Sequence, residues 1–378
     1  MKKALIVLPT YNEAENLKSL IPAIFEQQKK LSNWELQVLV VDSFSKDGTK
    51  KLLEEFSEKY KGRFFYILKP KEGLGKAYYE GFSYAISQLR PYVIFEMDAD
   101  WSHNPKKIPY FLKEIESGAD FVIGSRYTKG GSIPKDWAFH RKLFSVLGNI
   151  IIRLGFAKFS ITDWTSGFRA IRIWVIDKLL DEIKGYNSYV FQVALLDKTL
   201  KLGAQVVEVP INFKDRKKGK SKINSLQYIF HTLLYTFLNS SFIKFVVVGI
   251  IGFLIDFSST YSFIVYTGLP KPFASALGGE IAIVSNFILN NFWSFSHKRI
   301  KGGISAYLRS FIKFNFVSLG NVAIQYIGMF LALKLFGDFN FLVLNFSISS
   351  WMIYKVAVIA FFVIPYSYFM YNKVVWRR

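Results

Sequence analysis

The chain has 378 residues, 51% of them hydrophobic and 18% aromatic, and a formal charge of +21. It contains no cysteine, which excludes disulfides and thiolate metal sites. A basic balance of this size suits nucleic acid, anionic lipid or phosphorylated small molecules; no nucleic-acid recognition motif accompanies it, and a mean hydropathy of +0.21 points to the membrane.

The first nine residues, Met1 to Pro9, have the charge order of a signal peptide. Their apolar run is too short for one, and no small-residue cleavage site follows. They read as a first β-strand, which keeps the domain that follows on the cytoplasmic side. Apolar runs rich in β-branched and aromatic residues predict strands at 4–8, 36–41, 64–68, 92–97, 121–123 and 206–209. Helical patterns fill 16–29, 49–59, 74–88 and 105–116. Alternation of this kind predicts an α/β fold, a mostly parallel sheet with helices on both faces.

Residues 223–239 place Ile223, Leu226, Ile229, Phe230, Leu233 and Leu234 at helical spacing beside Lys220 and Lys222. They read as one or two amphipathic helices at a membrane interface, or as a helix packed on the preceding domain. Four apolar blocks follow at 242–269, 273–295, 310–335 and 339–369. Each reaches the roughly 20 residues needed to cross a bilayer. A soluble helical domain built from them would have almost no polar surface. Asp256 and Glu280 interrupt the first two blocks and are expected to face protein or a polar cavity. Lys217, Lys218, Lys220 and Lys222 precede the spans, Lys298, Arg299, Lys301 and Arg309 separate the second from the third, and Arg377 and Arg378 end the chain. This distribution places both termini in the cytoplasm. The membrane half also repeats weakly: Lys244-Phe245-Val246 opens the first span and Lys313-Phe314-Asn315 the third, while Asn290-Asn291-Phe292-Trp293 and Asn372-Lys373-Val374-Val375-Trp376 close the second and fourth.

Asp98-Ala99-Asp100 carries the strongest chemical signal, because it directly follows the apolar run at 92–97. Two carboxylates at a buried strand end are costly without a compensating cation or ligand, and hard oxygen donors suit Mg²⁺ or Mn²⁺ bridging a phosphorylated substrate. The alternative is a helix cap supplied by Asp100 or Ser102 ahead of Pro105. Tyr11 and Glu13 sit at a strand-to-helix turn, where they can hold a nucleobase and ribose or, with Asn16, cap a helix. Asp42 ends the second strand and can accept hydrogen bonds from a base; Asp47-Gly48-Thr49 reads as a turn into the next helix. Gly73-Leu74-Gly75-Lys76 permits close backbone approach to a ligand, or simply a turn. Arg126 follows a strand, and Arg141 and Ser145 lie on a helix after Trp137. Arg216 and Lys222 belong to a Lys-rich loop suited to closing over a diphosphate or lying on anionic lipid. His103, His140, His231 and His297 lack ligand spacing and receive no catalytic role.

In this order the motifs resemble glycosyltransferase family 2, and within it the dolichyl-phosphate mannose synthases and related polyprenyl-phosphate sugar transferases. They run Leu8-Pro9-Thr10-Tyr11-Asn12-Glu13, Val41-Asp42, Gly73-Leu74-Gly75-Lys76-Ala77, Asp98-Ala99-Asp100, Gly124-Ser125-Arg126-Tyr127, Asp163-Trp164-Thr165-Ser166-Gly167-Phe168-Arg169 and Phe213-Lys214-Asp215-Arg216. The second half resembles the GtrA-like membrane domain. The resemblance implies a GT-A (Rossmann-like) domain over 1–222, interfacial amphipathic helices over 223–241, and an all-α four-helix transmembrane domain over 242–378. It implies a metal-dependent inverting glycosyltransferase that moves a hexose, mannose from GDP-mannose foremost, to dolichyl or polyprenyl monophosphate, giving a lipid-phosphate sugar for glycosylation. Pro9, Tyr11, Glu13, Asp42, Asp98 and Lys222 would bind the donor nucleotide. Arg126, Arg141 and Ser145 would bind the acceptor phosphate, and Asp98, Asp100 and Ser102 would hold Mg²⁺ or Mn²⁺. Asp98, Asp100, Arg126 and Arg216 would form the catalytic set. Two departures stand out: Ser43 replaces the acid that usually follows Asp42, and Ser102 replaces a frequent Gln. Another hexosyltransferase, or a lipid-linked-sugar flippase or scaffold, is the alternative; the Gln-x-x-Arg-Trp motif of processive synthases is absent.

Overall fold

A computed structural model describes residues 1–188, 190–215, 225–343 and 346–377. The chain divides into two compact units, Met1–Thr236 and Phe237–Arg378.

In the first unit β1 (Lys2–Thr10), α1 (Ala14–Glu26), β2 (Trp34–Asp42), α2 (Thr49–Lys59), β3 (Phe64–Leu68), α3 (Leu74–Tyr84), β4 (Val93–Glu96), α4 (Ile108–Glu116) and β5 (Phe121–Ser125) follow in sequence. Then come α5 (Phe139–Phe156), β6 (Arg169–Arg172), α6 (Ile173–Ile183), α7 (Val190–Leu202), β7 (Val206–Pro210) and α8 (Ser225–Asn239). The seven-stranded sheet has the order β3-β2-β1-β4-β6-β5-β7, parallel except for β6. Alternation along β1 explains its unbroken apolar run. Ala4, Ile6 and Leu8 pack with Leu17, Leu20 and Ile21 of α1 on one face, while Leu5 and Val7 pack with Tyr78 and Phe82 of α3 on the other. Both faces of the strand are covered, so neither series can be polar.

β6 escapes the sequence pattern because arginines flank its two apolar residues. It inserts antiparallel between β4 and β5, with Phe95 opposite Ala170 and Ile123 opposite Arg169. Arg169 is fully buried. Its guanidinium donates to the carbonyls of Gln192 and Trp164 at 2.7 and 3.0 Å and lies 3.7 Å from Glu96. Burial pushes the Glu96 carboxyl up to about 7 against the pull of Arg169. In α8, Tyr235 is buried and donates to Asp197 at 2.9 Å, so this part of the helix packs on the sheet domain.

The second unit contains α9 (Ser241–Thr267), α10 (Lys271–Leu289), α11 (Ile304–Phe336), the strands β8 (Asn340–Val343) and β9 (Phe346–Ser349), and α12 (Ser350–Val358) and α13 (Ile364–Met370). Four helical stretches are long and apolar enough to cross a membrane: Ser241–Thr267, Lys271–Ser294, Ile304–Phe336 and Ile353–Val375. The fourth starts later than the apolar block at 339–369, because β8 and β9 pair as an antiparallel hairpin ahead of it. The Ser350 hydroxyl closes that hairpin, donating to Asp338 at 3.0 Å and accepting from the Phe339 N–H at 3.0 Å. Asp256 faces α10 beside Gly278, whereas Glu280 is exposed on the outer surface of α10, contrary to the inward placement expected for it. The sequence repeat has a structural counterpart. π-helical turns at Asn290–Ser294 and Tyr371–Val375 end the second and fourth spans, and the next residues, Phe295 and Trp376, stack at 4.6 Å.

Candidate active site

The parallel register brings the carboxyl ends of β1, β2, β4 and β5 to one edge of the sheet. The chain leaves β1 for β2 on one side and returns through β4 on the other, the crossing point where open α/β sheets bind ligands. Asp98 and Asp100 lie there, half-buried, just past β4. Their turn is tightly specified. The Asp98 N–H donates to His103 Nδ1 at 3.0 Å, and the Ser102 N–H donates to Asp100 Oδ1 at 3.1 Å. Trp101 takes a left-handed φ of 67° and anchors its indole N–H on Ser19 at 3.0 Å. Strain of this kind at a non-glycine residue persists where the surroundings impose it.

His103 belongs to this site, although its sequence context marks nothing. Its ring is 2% exposed, stacks on Phe168 at 5.0 Å, and has Nε2 3.8 Å from Asp98 Oδ2. Burial pushes its pKa down to about 4, and Nδ1 accepts a hydrogen bond, so the ring is neutral near pH 7 with its proton on Nε2. A Cβ at Gly167 would lie 3.6 Å from His103, 3.7 Å from the Gln192 amide and 3.8 Å from Asp98, so these four residues surround one point.

The turn was tested for its fit to a divalent cation. Asp98 and Asp100 provide hard oxygen donors, and the buried Ser102 hydroxyl has no hydrogen-bond partner among the described residues. No cluster of three Asp, Glu or His suited to a metal occurs among the described residues. That donor set suits Mg²⁺ or Mn²⁺, which keep waters and substrate phosphates in the remaining positions. The residues fit.

On the β1–β2 side, Tyr11 lies under the Lys71 ammonium at 3.8 Å, and Glu13 accepts from Asn16 at 2.7 Å. Asp42 is only 1% exposed. Its carboxylate accepts from the Thr10 hydroxyl at 3.1 Å and from the N–H and hydroxyl of Ser45 at 2.9 and 2.5 Å. In this arrangement Asp42 shapes the turn after β2 instead of presenting its oxygens to a base. Asp47 joins two helix starts, accepting from the Ala14 N–H at 3.0 Å and from both groups of Thr49. The glycine pair serves a protein contact. Gly73 has φ 106°, and a Cβ on either Gly73 or Gly75 would collide with the backbone of Asn187 or Tyr186. Lys76 pairs with Glu80 at 2.8 Å.

The arginines occupy the β5 side. Arg126 forms a two-pronged pair with Asp163, Nε and Nη2 each donating at 2.7 Å, and donates to Thr165 at 2.7 Å. Asp163 is fully buried; burial disfavours its charge, but the guanidinium outweighs that and holds the carboxyl below its ordinary value. Glu208 of β7 fixes the loop by accepting from the Thr162 and Asp163 N–H groups at 2.8 and 2.9 Å. Arg141 pairs with Asp215 at 3.0 and 3.1 Å and stacks on Trp137 at 3.9 Å. Ser145 bonds the Tyr127 hydroxyl at 2.5 Å, and the Arg126 guanidinium lies 5.3 Å from that ring. Phe213 joins the two halves: His103, Trp137 and Arg126 all contact its ring, within 5.9 Å. Next to it the Lys214 N–H reaches the Ser102 carbonyl at 3.5 Å. Arg216 and Lys222 lie outside the described residues.

Removing one partner of a buried pair leaves an uncompensated charge. Asp163→Ala is therefore expected to destabilise the first unit by about 3–5 kcal/mol, read as a lowered unfolding midpoint. Because the folded pKa is depressed, the Asp163 contribution is present above the ordinary carboxylate range and lost as pH falls through the folded value. The difference between the two proteins should therefore shrink in acid.

Comparison with known proteins follows the same division. The family model for glycosyl transferase family 2 matches residues 5–180, and that for the GtrA/DPMS transmembrane domain matches residues 244–376. A dolichol-phosphate mannosyltransferase of Pyrococcus furiosus is 32% identical over 332 residues, 86% of this chain and 89% of the relative. A polyprenol monophosphomannose synthase of Mycolicibacterium smegmatis is 36% identical over 225 residues, covering 59% and 82%. An undecaprenyl-phosphate mannosyltransferase of Micrococcus luteus is 37% identical over 226 residues, covering 59% and 88%. The four apolar helices and the transmembrane-domain match make the chain an integral membrane protein.

Proposed function

The chain belongs to the dolichol-phosphate mannosyltransferase family, a family 2 glycosyltransferase domain joined to a GtrA/DPMS transmembrane domain, and from that premise we propose that it transfers mannose from GDP-mannose to dolichyl or polyprenyl monophosphate. The observation that carries this reading is α5. One helix holds Arg141 and Ser145 beside Arg126 and exposes Phe139, Phe144, Leu147, Ile151 and Leu154. A phosphate grip on a helix with a broad exposed apolar face suits a phosphorylated long-chain lipid. A water-soluble acceptor would give those side chains no reason to be apolar.

The acceptor phosphate is anionic at neutral pH, so the enzyme needs to position it and not to deprotonate it. Arg126, locked by Asp163, and Arg141, held on Trp137, would orient its oxygens for in-line attack on the anomeric carbon, with inversion. Asp98 and Asp100 would hold Mg²⁺ or Mn²⁺, whose charge assists departure of the nucleoside diphosphate. Tyr11, Glu13 and Pro9 line the turn proposed for the nucleoside, and the loop bearing Arg216 and Lys222 would cover the diphosphate. A transfer assay crossing nucleotide sugars with polyprenyl phosphates tests the reading. Mannosyl transfer from GDP-mannose is expected to exceed that from other donors, and a clear preference for a glucose donor would overturn it.

We also propose four spans with both termini and the transferase domain in the cytoplasm, and residues 223–241 at the membrane interface. The support is the basic loop holding Lys298, Arg299 and Lys301 and the basic chain end. Single cysteines introduced into this cysteine-free chain give the measurement. A cysteine within 298–304 should resist an impermeant thiol reagent added outside; labelling from that side would refute the orientation.

A further inference from the structure

The second unit contains a concave site of about 590 Å³ where α11 begins and the fourth span ends. Residues 296–301, the first turns of α11 and residues 374–377 form its walls. Six lining side chains are basic, Lys298, Arg299, Lys301, Arg309, Lys313 and Arg377, and no carboxylate joins them. The sequence explains the lack of counter-charge: from 281 to 378 the only acidic residue is Asp338. Neutral groups orient several of the cations. Lys298 Nζ donates to Asn372 at 2.9 Å, the Arg299 guanidinium lies over Phe292 at 4.2 Å, and Arg309 reaches the Ser305 hydroxyl at 3.4 Å.

The base of the site is rigid. Trp376 stacks on Phe295, and Asn291 Oδ1 accepts from both the Trp376 indole and the Ile300 N–H at 3.0 Å. α11 runs for 33 residues and starts at Gly303 with no side-chain cap and no acidic residue in its first turn. Its positive end therefore adds to the field of the six cations. A diffuse basic belt would satisfy the orientation rule for membrane loops without a cavity. Here the charges converge on a volume that falls in the range of small-molecule sites.

We propose that this concavity is an anion site for a phosphate-bearing headgroup, built wholly from the second unit and independent of the transfer reading. Basic pockets between membrane helices offer such headgroups charge-assisted hydrogen bonds at the depth where lipid phosphates lie.

Native mass spectrometry of the full chain, released from detergent with defined lipids, tests it. With phosphatidic acid the chain is expected to retain one lipid preferentially, and with phosphatidylcholine none. Arg309→Gln with Lys313→Gln should weaken that first binding roughly thirtyfold, at about fivefold per cation removed. Arg377→Gln, a single change at the chain end, should give about fivefold and serves if the double variant does not fold. Adding inorganic phosphate distinguishes the sources. Displacement of the retained lipid assigns the site to free phosphate, and persistence assigns it to the lipid headgroup. A ladder of lipids with no favoured first one, no preference over phosphatidylcholine, or equal retention by the variants would overturn the proposal.

Discussion

Asp100→Asn is expected to lower sugar transfer about a hundredfold or more, a barrier increase of at least about 2.7 kcal/mol. The substitution isolates charge from structure. Asp100 Oδ1 accepts the Ser102 N–H, and the amide oxygen of Asn can accept the same bond, so the strained turn at Trp101 should survive. What disappears is one of two hard anionic donors at the end of β4, and with it most of the affinity for a divalent cation. Unfolding midpoints within a degree or two of wild type would show the fold intact. Metal affinity measured directly, with Mn²⁺ and without any donor sugar, should fall alongside turnover. A variant that keeps more than about a tenth of wild-type turnover would remove Asp100 from the metal site, because a lost ligand charge costs more than the about 1.4 kcal/mol that figure allows. Loss of turnover with unchanged Mn²⁺ binding would instead give Asp100 a role in holding substrate.

The parts of the fold that sequence pattern revealed are those governed by local periodicity. β3 and α2 match their expected limits of 64–68 and 49–59, and the other five expected strands fall within two residues of the elements that form. β6 is different: its apolar content is Ala170 and Ile171 between two arginines, and only the long-range pairing of Arg169 with Glu96 makes that sequence a buried strand. The same limit applies at the site. Asp98, Asp100, Arg126, Arg141 and Ser145 belong to motifs. Their positioning partners, His103, Gln192, Glu208 and Phe213, come from distant segments and reveal themselves only once the sheet register is set. Asp42 and Gly75 show the converse. Each has the residue type a ligand contact needs, yet Asp42 is occupied by Thr10 and Ser45, and Gly75 by the backbone of Tyr186. Residue type cannot separate a group that faces a ligand from one that holds the wall behind it.

Arg141→Ala should raise the apparent KM for lipid phosphate about tenfold and lower turnover, with little change in guanosine diphosphate affinity measured by calorimetry. Arg216→Ala should show the opposite pattern, weakening the nucleotide and sparing the lipid. The structure adds a complication to this division, because Arg141 is paired with Asp215, the residue next to Arg216. That pair is 47% and 38% exposed, and pairs so exposed contribute at most about 1 kcal/mol. A phosphate dianion offers the same guanidinium stronger charge-assisted bonds, so it can displace Asp215. Arg141 would thus rest on Asp215 between turnovers and exchange it for the acceptor. Asp215→Asn separates the two roles. It leaves Arg141 stacked on Trp137 with a neutral partner, so the lipid KM should stay level or fall, since phosphate no longer competes with a carboxylate. If Asp215→Asn raises the lipid KM as much as Arg141→Ala does, Arg141 acts by positioning the following loop, and the direct grip on the acceptor phosphate is wrong.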